Sequence, residues 1–245
     1  MNLINAQERE QYFKSFKKEM LGKKFKNSQM VLCPPSVYLE SFLENLKGKF
    51  VKIGSQNIFW EAKGAFTGEI SPFMVKNLGC EFAIIGHSER RRFLGETNEN
   101  FNLKIKAAIK AGLKAVYCVG ETKSEREMNV IKNIITRQIQ EGLQDVKSQQ
   151  LENLIIAYEP MWSVGSNVVP TSNEIMEAKI LIKKILAEKY GMKYAQKVSI
   201  LYGGSVAEKF VKQVCIDPGM DGALVGRESL SPHEFVKVAQ MLDNS

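Results

Sequence analysis

The chain has 245 residues, 44% of them apolar and 25% charged, with a formal net charge of +7. That length holds one α/β barrel or two small domains, and no stretch reaches the ~18 consecutive apolar residues that a membrane crossing needs. The lysines are spread along helix-like stretches without an aromatic-and-basic platform, which argues against nucleic acid, and Cys33, Cys80, Cys118 and Cys215 have no CxxC spacing or histidine company that would suggest zinc or a disulfide framework.

The opening "MNLINAQERE" contains Glu8 and Glu10 and no apolar run, so no secretory signal is expected and cytoplasmic residence is the default, with the four thiols free. Asn5 followed three residues later by Glu8 is a helix-start pair, and Tyr12, Phe13, Phe16 and Met20 recur at helical spacing behind it. A helix is therefore predicted almost at the first residue. Short apolar runs then alternate with longer amphipathic stretches. "MVLCPP" (Met30 to Pro35) reads as a strand stopped by prolines, followed by "VKIGSQN" from Val51, "FAIIGH" from Phe82, "KAVYCVG" ending at Gly120, "NLIIAYEP" ending at Pro160, "VSILYGG" ending at Gly204 and "GALVG" ending at Gly226. Most are apolar on both faces, as parallel strands buried from two sides require. Between them lie helical stripes: Phe101, Ile105, Ala108 and Ile109 behind Thr97; Ile131, Ile134, Ile135, Gln138 and Ile139; Ile175, Ala178, Ile182 and Ile185 behind Thr171; and a start at Ser231-Pro232. No linker or composition shift divides residues 1–245, so a single domain is expected. The even pacing, and the lack of a G-x-G-x-x-G after any strand, favour a closed (β/α)8 barrel over an open doubly wound sheet. Seven strands and eight helices are predicted, which leaves such a barrel one strand short at its beginning.

Barrel active sites lie at the carboxyl ends of the strands, so polar residues just after the apolar runs are the candidates. His87 follows "FAIIG" at the start of a short helix, where the positive helix end favours a neutral imidazole able to donate to a carbonyl oxygen. The bland alternative is a hydrogen-bonded structural histidine. Glu159 ends "LIIAY", and a carboxylate there is costly to bury unless it is used or paired. It reads as a general base or as the partner of one of Arg90, Arg91 and Arg92. "PMWSVGSNVVP" (Pro160 to Pro170) is a long connection with stiff ends and a tryptophan, which suits a hinged lid. "GGS" at Gly203 to Ser205 and "VGR" at Val225 to Arg227 are glycine turns at two late strand ends, where backbone N–H groups bind phosphate.

Together these segments resemble the triosephosphate isomerase family: "GSQNIFWEAKGAFTGEIS", "AIIGHSERR", "CVGET", "AYEPMWSVG", "LYGGSV" and "DGALVGRESL" stand in the family's order along nearly the whole chain. The resemblance implies an α/β TIM-type barrel that interconverts dihydroxyacetone phosphate and D-glyceraldehyde 3-phosphate without cofactor or metal. It implies that Glu159 shuttles the proton, His87 polarises the carbonyl and Glu89 is a supporting carboxylate. Gly165, Ser205, Gly226 and Arg227 match positions whose N–H groups hold the phosphate. Pro160, Met161, Trp162, Ser163, Val164, Ser166 and Asn167 belong to the lid. Phe66 and Thr67 match a protruding loop that reaches a partner subunit in a homodimer. Three departures stand out. Arg227 replaces the second of two usual glycines, the lid ends in "NVVP", and Met1-Asn2 matches only the last letters of the family's first-strand pattern N-W-K-M-N, so the strand and its active-site lysine are missing. Two readings follow: an active isomerase whose natural start lies upstream, or a non-catalytic relative that binds phosphorylated ligands or a partner. An aldolase-type barrel is disfavoured, because Lys52 and Lys114 begin their strands rather than end them.

Overall fold

The structure, a computed structural model, describes residues 1–48 and 50–245. It begins with a helix. Helix α1 (Ala6–Met20) starts where the Asn5 side chain accepts the Glu8 N–H at 2.9 Å and the Glu8 carboxylate accepts the Ile4 N–H at 2.9 Å, which satisfies donors that a helix start otherwise leaves open. Tyr12, Phe13 and Phe16 form its buried face, and Phe13 meets Phe42 edge-on with ring centroids 4.9 Å apart. Residues 1–5 form no strand. The Met1 carbonyl accepts from Gln56 Nε2 at 2.6 Å, and the same amide donates to the Cys33 carbonyl at 2.9 Å, so this segment lies beside the carboxyl end of the first strand.

That strand, β1 (Met30–Leu32), has three residues and stops ahead of Pro34 and Pro35, which cannot donate to a ladder. The turn before it is held by the far end of the chain. Asp243 accepts the N–H groups of Lys26, Asn27 and Ser28 at 3.0, 2.7 and 2.6 Å, and these donors, Lys26 foremost, hold its carboxyl below the usual range. Then come α2 (Leu39–Leu46), β2 (Val51–Ser55), α3 (Pro72–Leu78), β3 (Phe82–Ile85), α4 (Ser88–Phe93), α5 (Asn98–Lys110), β4 (Lys114–Val119), α6 (Lys123–Glu127), α7 (Ile131–Gly142), β5 (Leu154–Tyr158), α8 (Ser172–Tyr190), α9 (Met192–Ala195), β6 (Ser199–Tyr202), α10 (Glu208–Val211) and α11 (Pro232–Asp243).

The strands form one parallel sheet in chain order from β1 to β6. The register pairs Met30 with Val51, Ile85 with Tyr117 and Tyr158 with Tyr202. Strand residues alternate between two clusters, as their period of two requires. Ile85, Tyr117, Ile156, Tyr158 and Ile200 pack with the predicted stripes of α5 and α8. Phe82, Ile84, Val116, Cys118 and Ala157 form an inner cluster, against which Val31, Cys33, Leu201 and Leu224 are only partly buried. This is the expected α/β TIM-type architecture, and among the described residues no strand precedes β1.

The element count differs from the expected seven strands and eight helices. Asp221 N–H donates to the Ile200 carbonyl at 2.9 Å, Tyr202 N–H to the Gly222 carbonyl at 3.1 Å and Leu224 N–H to the Tyr202 carbonyl at 2.8 Å. The "GALVG" run thus follows β6 for a few residues, but it registers as a single bridge, Tyr202 with Ala223. Among the described residues no strand pairs on its far side to extend it. Eleven α-helical segments appear there rather than eight, because the crossovers after β3, β4 and β5 each break into two helices.

Candidate active site

Strands β3 and β5 flank β4, so residues just past their carboxyl ends can meet above it. His87 lies two residues beyond β3 and caps α4, its Nδ1 accepting the Glu89 N–H at 3.3 Å. An accepting Nδ1 carries no proton, so in the neutral ring the hydrogen sits on Nε2. Nε2 is 3.2 Å from Oε1 of Glu159, the residue directly after β5.

Glu159 is 2% exposed. Its Oε2 accepts the Ser88 N–H at 3.0 Å, while Oε1, though close to His87, makes no hydrogen bond. Burial pushes its pKa up, against the opposing pull of His87 and of the Ser88 N–H. Two glycines make room for it. A Cβ at Gly120 would stand 1.9 Å from the Glu159 carbonyl oxygen, and one at Gly203 would stand 2.6 Å from its Cγ. The Gly120 peptide is held in place by the buried Gln138 amide, which accepts its N–H at 2.8 Å and donates to its carbonyl at 2.9 Å.

The arginines of "SERRRF" are engaged elsewhere. Arg90 pairs with Glu96 at 2.7 Å, and Arg91 donates to the carbonyls of Gly86 and Cys118 at 3.1 and 3.0 Å. Glu159 therefore faces the imidazole rather than an arginine. The Glu89 carboxylate points largely to solvent, 3.7 Å from His87 Nδ1; its N–H fixes the ring.

The lid segment is braced at both ends. Trp162 Nε1 donates at 2.9 Å to Glu121, a fully buried carboxylate that also accepts from the Tyr158 hydroxyl at 3.2 Å and from Arg126 Nη1 at 3.2 Å. The Arg126 guanidinium lies 5.1 Å from the Trp162 ring centre and also pairs with Glu174. Further along, the Ser163 N–H donates to the Pro160 carbonyl at 2.8 Å. Ser205 Oγ donates to the carbonyls of Ser163 and Ser166 at 2.7 and 2.6 Å, and Arg227 Nη2 donates to the Gly165 carbonyl at 3.0 Å. Met161 is buried, Val164 half-buried and Asn167 exposed. Gly165 sits at φ +70°, a conformation that glycine adopts without strain.

The structure thus brings His87, Ser88 and Glu159 into contact, and joins Gly165, Ser205 and Arg227 at the lid tip, with Gly226 adjoining in the chain. Among the described residues the N–H groups of Gly165, Ser205, Gly226 and Arg227 have no protein acceptor. Phe66 and Thr67 do not join these groups; they lie on an exposed loop where the Phe66 ring packs tilted against Phe59 with centroids 4.8 Å apart. Sequence reasoning gave no role to Glu121, Gln138 or Arg126. A polar Gln138 inside an apolar stripe, and a carboxylate closing "CVGE", were the available signals. Among the described residues no group of three or more His, Cys, Asp or Glu side chains could hold a metal ion. A buried carboxylate of raised basicity beside a proton-bearing imidazole nitrogen is equipped to move a proton next to a carbonyl.

A model of the family described as triosephosphate isomerase matches residues 1–242. The triosephosphate isomerase of Dictyoglomus thermophilum is 44% identical over 230 residues, covering 92% of each chain. That of Dictyoglomus turgidum is 42% identical over 228 residues (93% of this chain, 91% of the relative), and that of Carboxydothermus hydrogenoformans 42% over 211 residues (86% and 84%). With that match spanning nearly its full length, the chain belongs to the triosephosphate isomerase family of isomerases.

Proposed function

We propose that the chain interconverts dihydroxyacetone phosphate and D-glyceraldehyde 3-phosphate through an enediolate, as a step of glycolysis and gluconeogenesis. The observation that carries this reading is the 3.2 Å approach of Glu159 and His87 at the strand ends. Glu159 takes the proton from the carbon beside the carbonyl. The C–H electron pair becomes the C=C bond, and the carbonyl π pair moves to oxygen, where the His87 Nε2–H supports the charge. Glu159 then returns the proton to the neighbouring carbon, while the hydroxyl proton on the other oxygen passes to the first oxygen by way of His87 Nε2, and the released O–H electron pair closes the new carbonyl. Oxidation state is redistributed within the substrate, so no external oxidant or reductant is consumed. Burial leaves Glu159 a stronger base than an ordinary carboxylate, and the pairing of a carboxylate base with a neutral imidazole is one for which this family is itself a standard example.

The N–H groups of Gly165, Ser205, Gly226 and Arg227 hold the phosphate in this reading, and the lid from Pro160 to Asn167 closes to keep water from the enediolate. The family is also a standard example of such gating. The Glu89 N–H sets the His87 tautomer. Residues 1–245 act as one cytoplasmic domain that pairs as a homodimer through the loop carrying Phe66 and Thr67, where a 43% exposed Phe66 offers apolar surface. Among the described residues no helix is long and apolar enough to cross a membrane.

The test is a coupled assay of this chain in both directions beside its Glu159→Gln variant. Turnover that falls by about 10³-fold or more in the variant supports the reading. Turnover unchanged by the substitution, or absent from the parent while a phosphate-bearing enediolate analogue still binds, overturns it in favour of a ligand-binding relative.

A further inference from the structure

Arg227 stands at a glycine turn where a side chain is not needed for a backbone N–H to bind phosphate. Its guanidinium is nevertheless in use. Nη2 donates at 3.0 Å to the carbonyl of Gly165, the residue at the tip of the lid, and it would lie 3.6 Å from a Cβ placed there. Ser205, on the other phosphate turn, holds the carbonyls of Ser163 and Ser166. Two turns that carry unpartnered N–H groups thus also grip three carbonyls of the lid tip, those of Ser163, Gly165 and Ser166. The two grips differ in charge. Ser205 offers a neutral hydroxyl, whereas Arg227 offers a permanent cation to a neutral acceptor, a pairing that an anion outcompetes.

We propose that the Arg227 side chain is a phosphate-responsive latch for the lid and a direct ligand of the substrate's phosphate dianion. Without substrate, the guanidinium ties the lid tip to the turn after Val225. When a phosphorylated triose arrives between the Gly165 and Arg227 N–H groups, the guanidinium exchanges the Gly165 carbonyl for a phosphate oxygen. The exchange frees the lid tip to rotate and adds a charge-assisted bond to the bound state. Closure is thereby tied to the charge of the ligand, and triose substrates without phosphate are disfavoured. This rests on the isomerase reading for the identity of the ligand, but the latch itself is measurable without turnover.

The experiment uses Arg227→Gly, Arg227→Gln and Arg227→Lys in the full chain. It reads the fluorescence of Trp162 during titration with inorganic phosphate, in a Trp60→Phe background, together with KM and kcat. Arg227→Gly is expected to weaken phosphate binding and raise KM by about tenfold, the loss of one charge-assisted bond, with kcat within about threefold. Arg227→Lys recovers most of the phosphate affinity and Arg227→Gln does not, because the phosphate term follows charge. Without phosphate, the Trp162 signal of Arg227→Gly shifts toward that of the phosphate-bound parent. Phosphate affinity and KM within twofold of the parent in Arg227→Gly, or tighter binding once the side chain is gone, overturns the proposal. A parent chain that binds phosphate with the Arg227 dependence described but does not isomerise trioses would leave the latch standing and sink the isomerase reading instead.

Discussion

The wall built by β3 and β5 and the wall built by the lid and the two phosphate turns hold their groups in opposite ways. On the first, Glu159 is 2% exposed, flanked by two obligatory glycines and fixed by the Ser88 N–H, while Gln138 clamps the neighbouring Gly120 peptide. On the second, three main-chain carbonyls are held by one hydroxyl and one exposed guanidinium. Chemistry that depends on a raised pKa needs a dry and rigid surround, because burial does the raising. Recognition of a phosphate that must enter and leave needs donors whose present partners are weak enough to be displaced. Substitutions on the first wall should therefore act on kcat, and those on the second mainly on KM.

The largest effect falls on the first wall. Glu159→Gln removes the buried carboxylate placed to take a proton beside His87, and about a 10³-fold or greater loss in kcat is expected. The same substitution should stabilise the fold. Burial raises the Glu159 pKa above its unfolded value, so between the two values the native state holds a proton that the unfolded state has released. Stability from this group is complete below the unfolded pKa and is lost as pH rises through the folded pKa. Thermal unfolding at pH 8 should therefore show Glu159→Gln melting a few degrees higher than the parent, with the gap closing near pH 4. An equal or lower midpoint at pH 8 would mean that the site carries no such strain. In the parent, kcat/KM should fall on the acid side at a pH above the ordinary carboxylate range.

The two walls also differ in how far the sequence discloses them. Glu159 and His87 stand directly after apolar runs, and a parallel barrel gathers its strand ends on one face, so their meeting is legible. So are the starts of α1, α5 and α8, where Asn5, Thr97 and Thr171 each accept the expected backbone N–H. Glu121 closes an apolar strand in the same way as Glu159, yet it anchors Trp162, Tyr158 and Arg126 rather than facing substrate. Two carboxylates at neighbouring strand ends are equivalent in sequence; only the packing of the lid above one of them separates their uses. Arg227 reads as a backbone position because its motif is a glycine turn, and its reach to Gly165, 62 residues away in the chain, has no local signature. "GALVG" reads as a strand because its composition suits one, but a ladder depends on neighbours that lie elsewhere.

Glu121 is where the walls join, and its replacement should show an intermediate effect. In Glu121→Gln the Oε1 oxygen that Trp162 and Arg126 share loses its charge, and the amide nitrogen in place of Oε2 meets the Tyr158 hydroxyl, which must turn from donating to accepting in a buried place. A cost of about 1–3 kcal/mol in stability is expected, with kcat/KM down by roughly ten- to a hundredfold as the lid loses its anchor. Trp162 fluorescence should change even without ligand. Because Glu159 and His87 keep their own partners, kcat at saturation should fall less than kcat/KM. A variant in which kcat carries the whole loss would show that Glu121 serves the proton-transfer wall instead.

The smallest expected effect is that of Ser205→Ala. Its hydroxyl donates to two carbonyls at once, but one proton is shared between them, so the loss amounts to about one neutral hydrogen bond, or roughly 0.5–1.5 kcal/mol. The Ser205 N–H, the group assigned to phosphate, remains. KM should rise no more than about tenfold, kcat should stay within about twofold, and the acid limb of the pH profile should not move, because Glu159 receives nothing from this side. A shift in that limb would mean that the lid tip sets the polarity around the buried carboxylate. The walls would then be one electrostatic unit, and the Ser205 turn would tune the base as well as bind the phosphate.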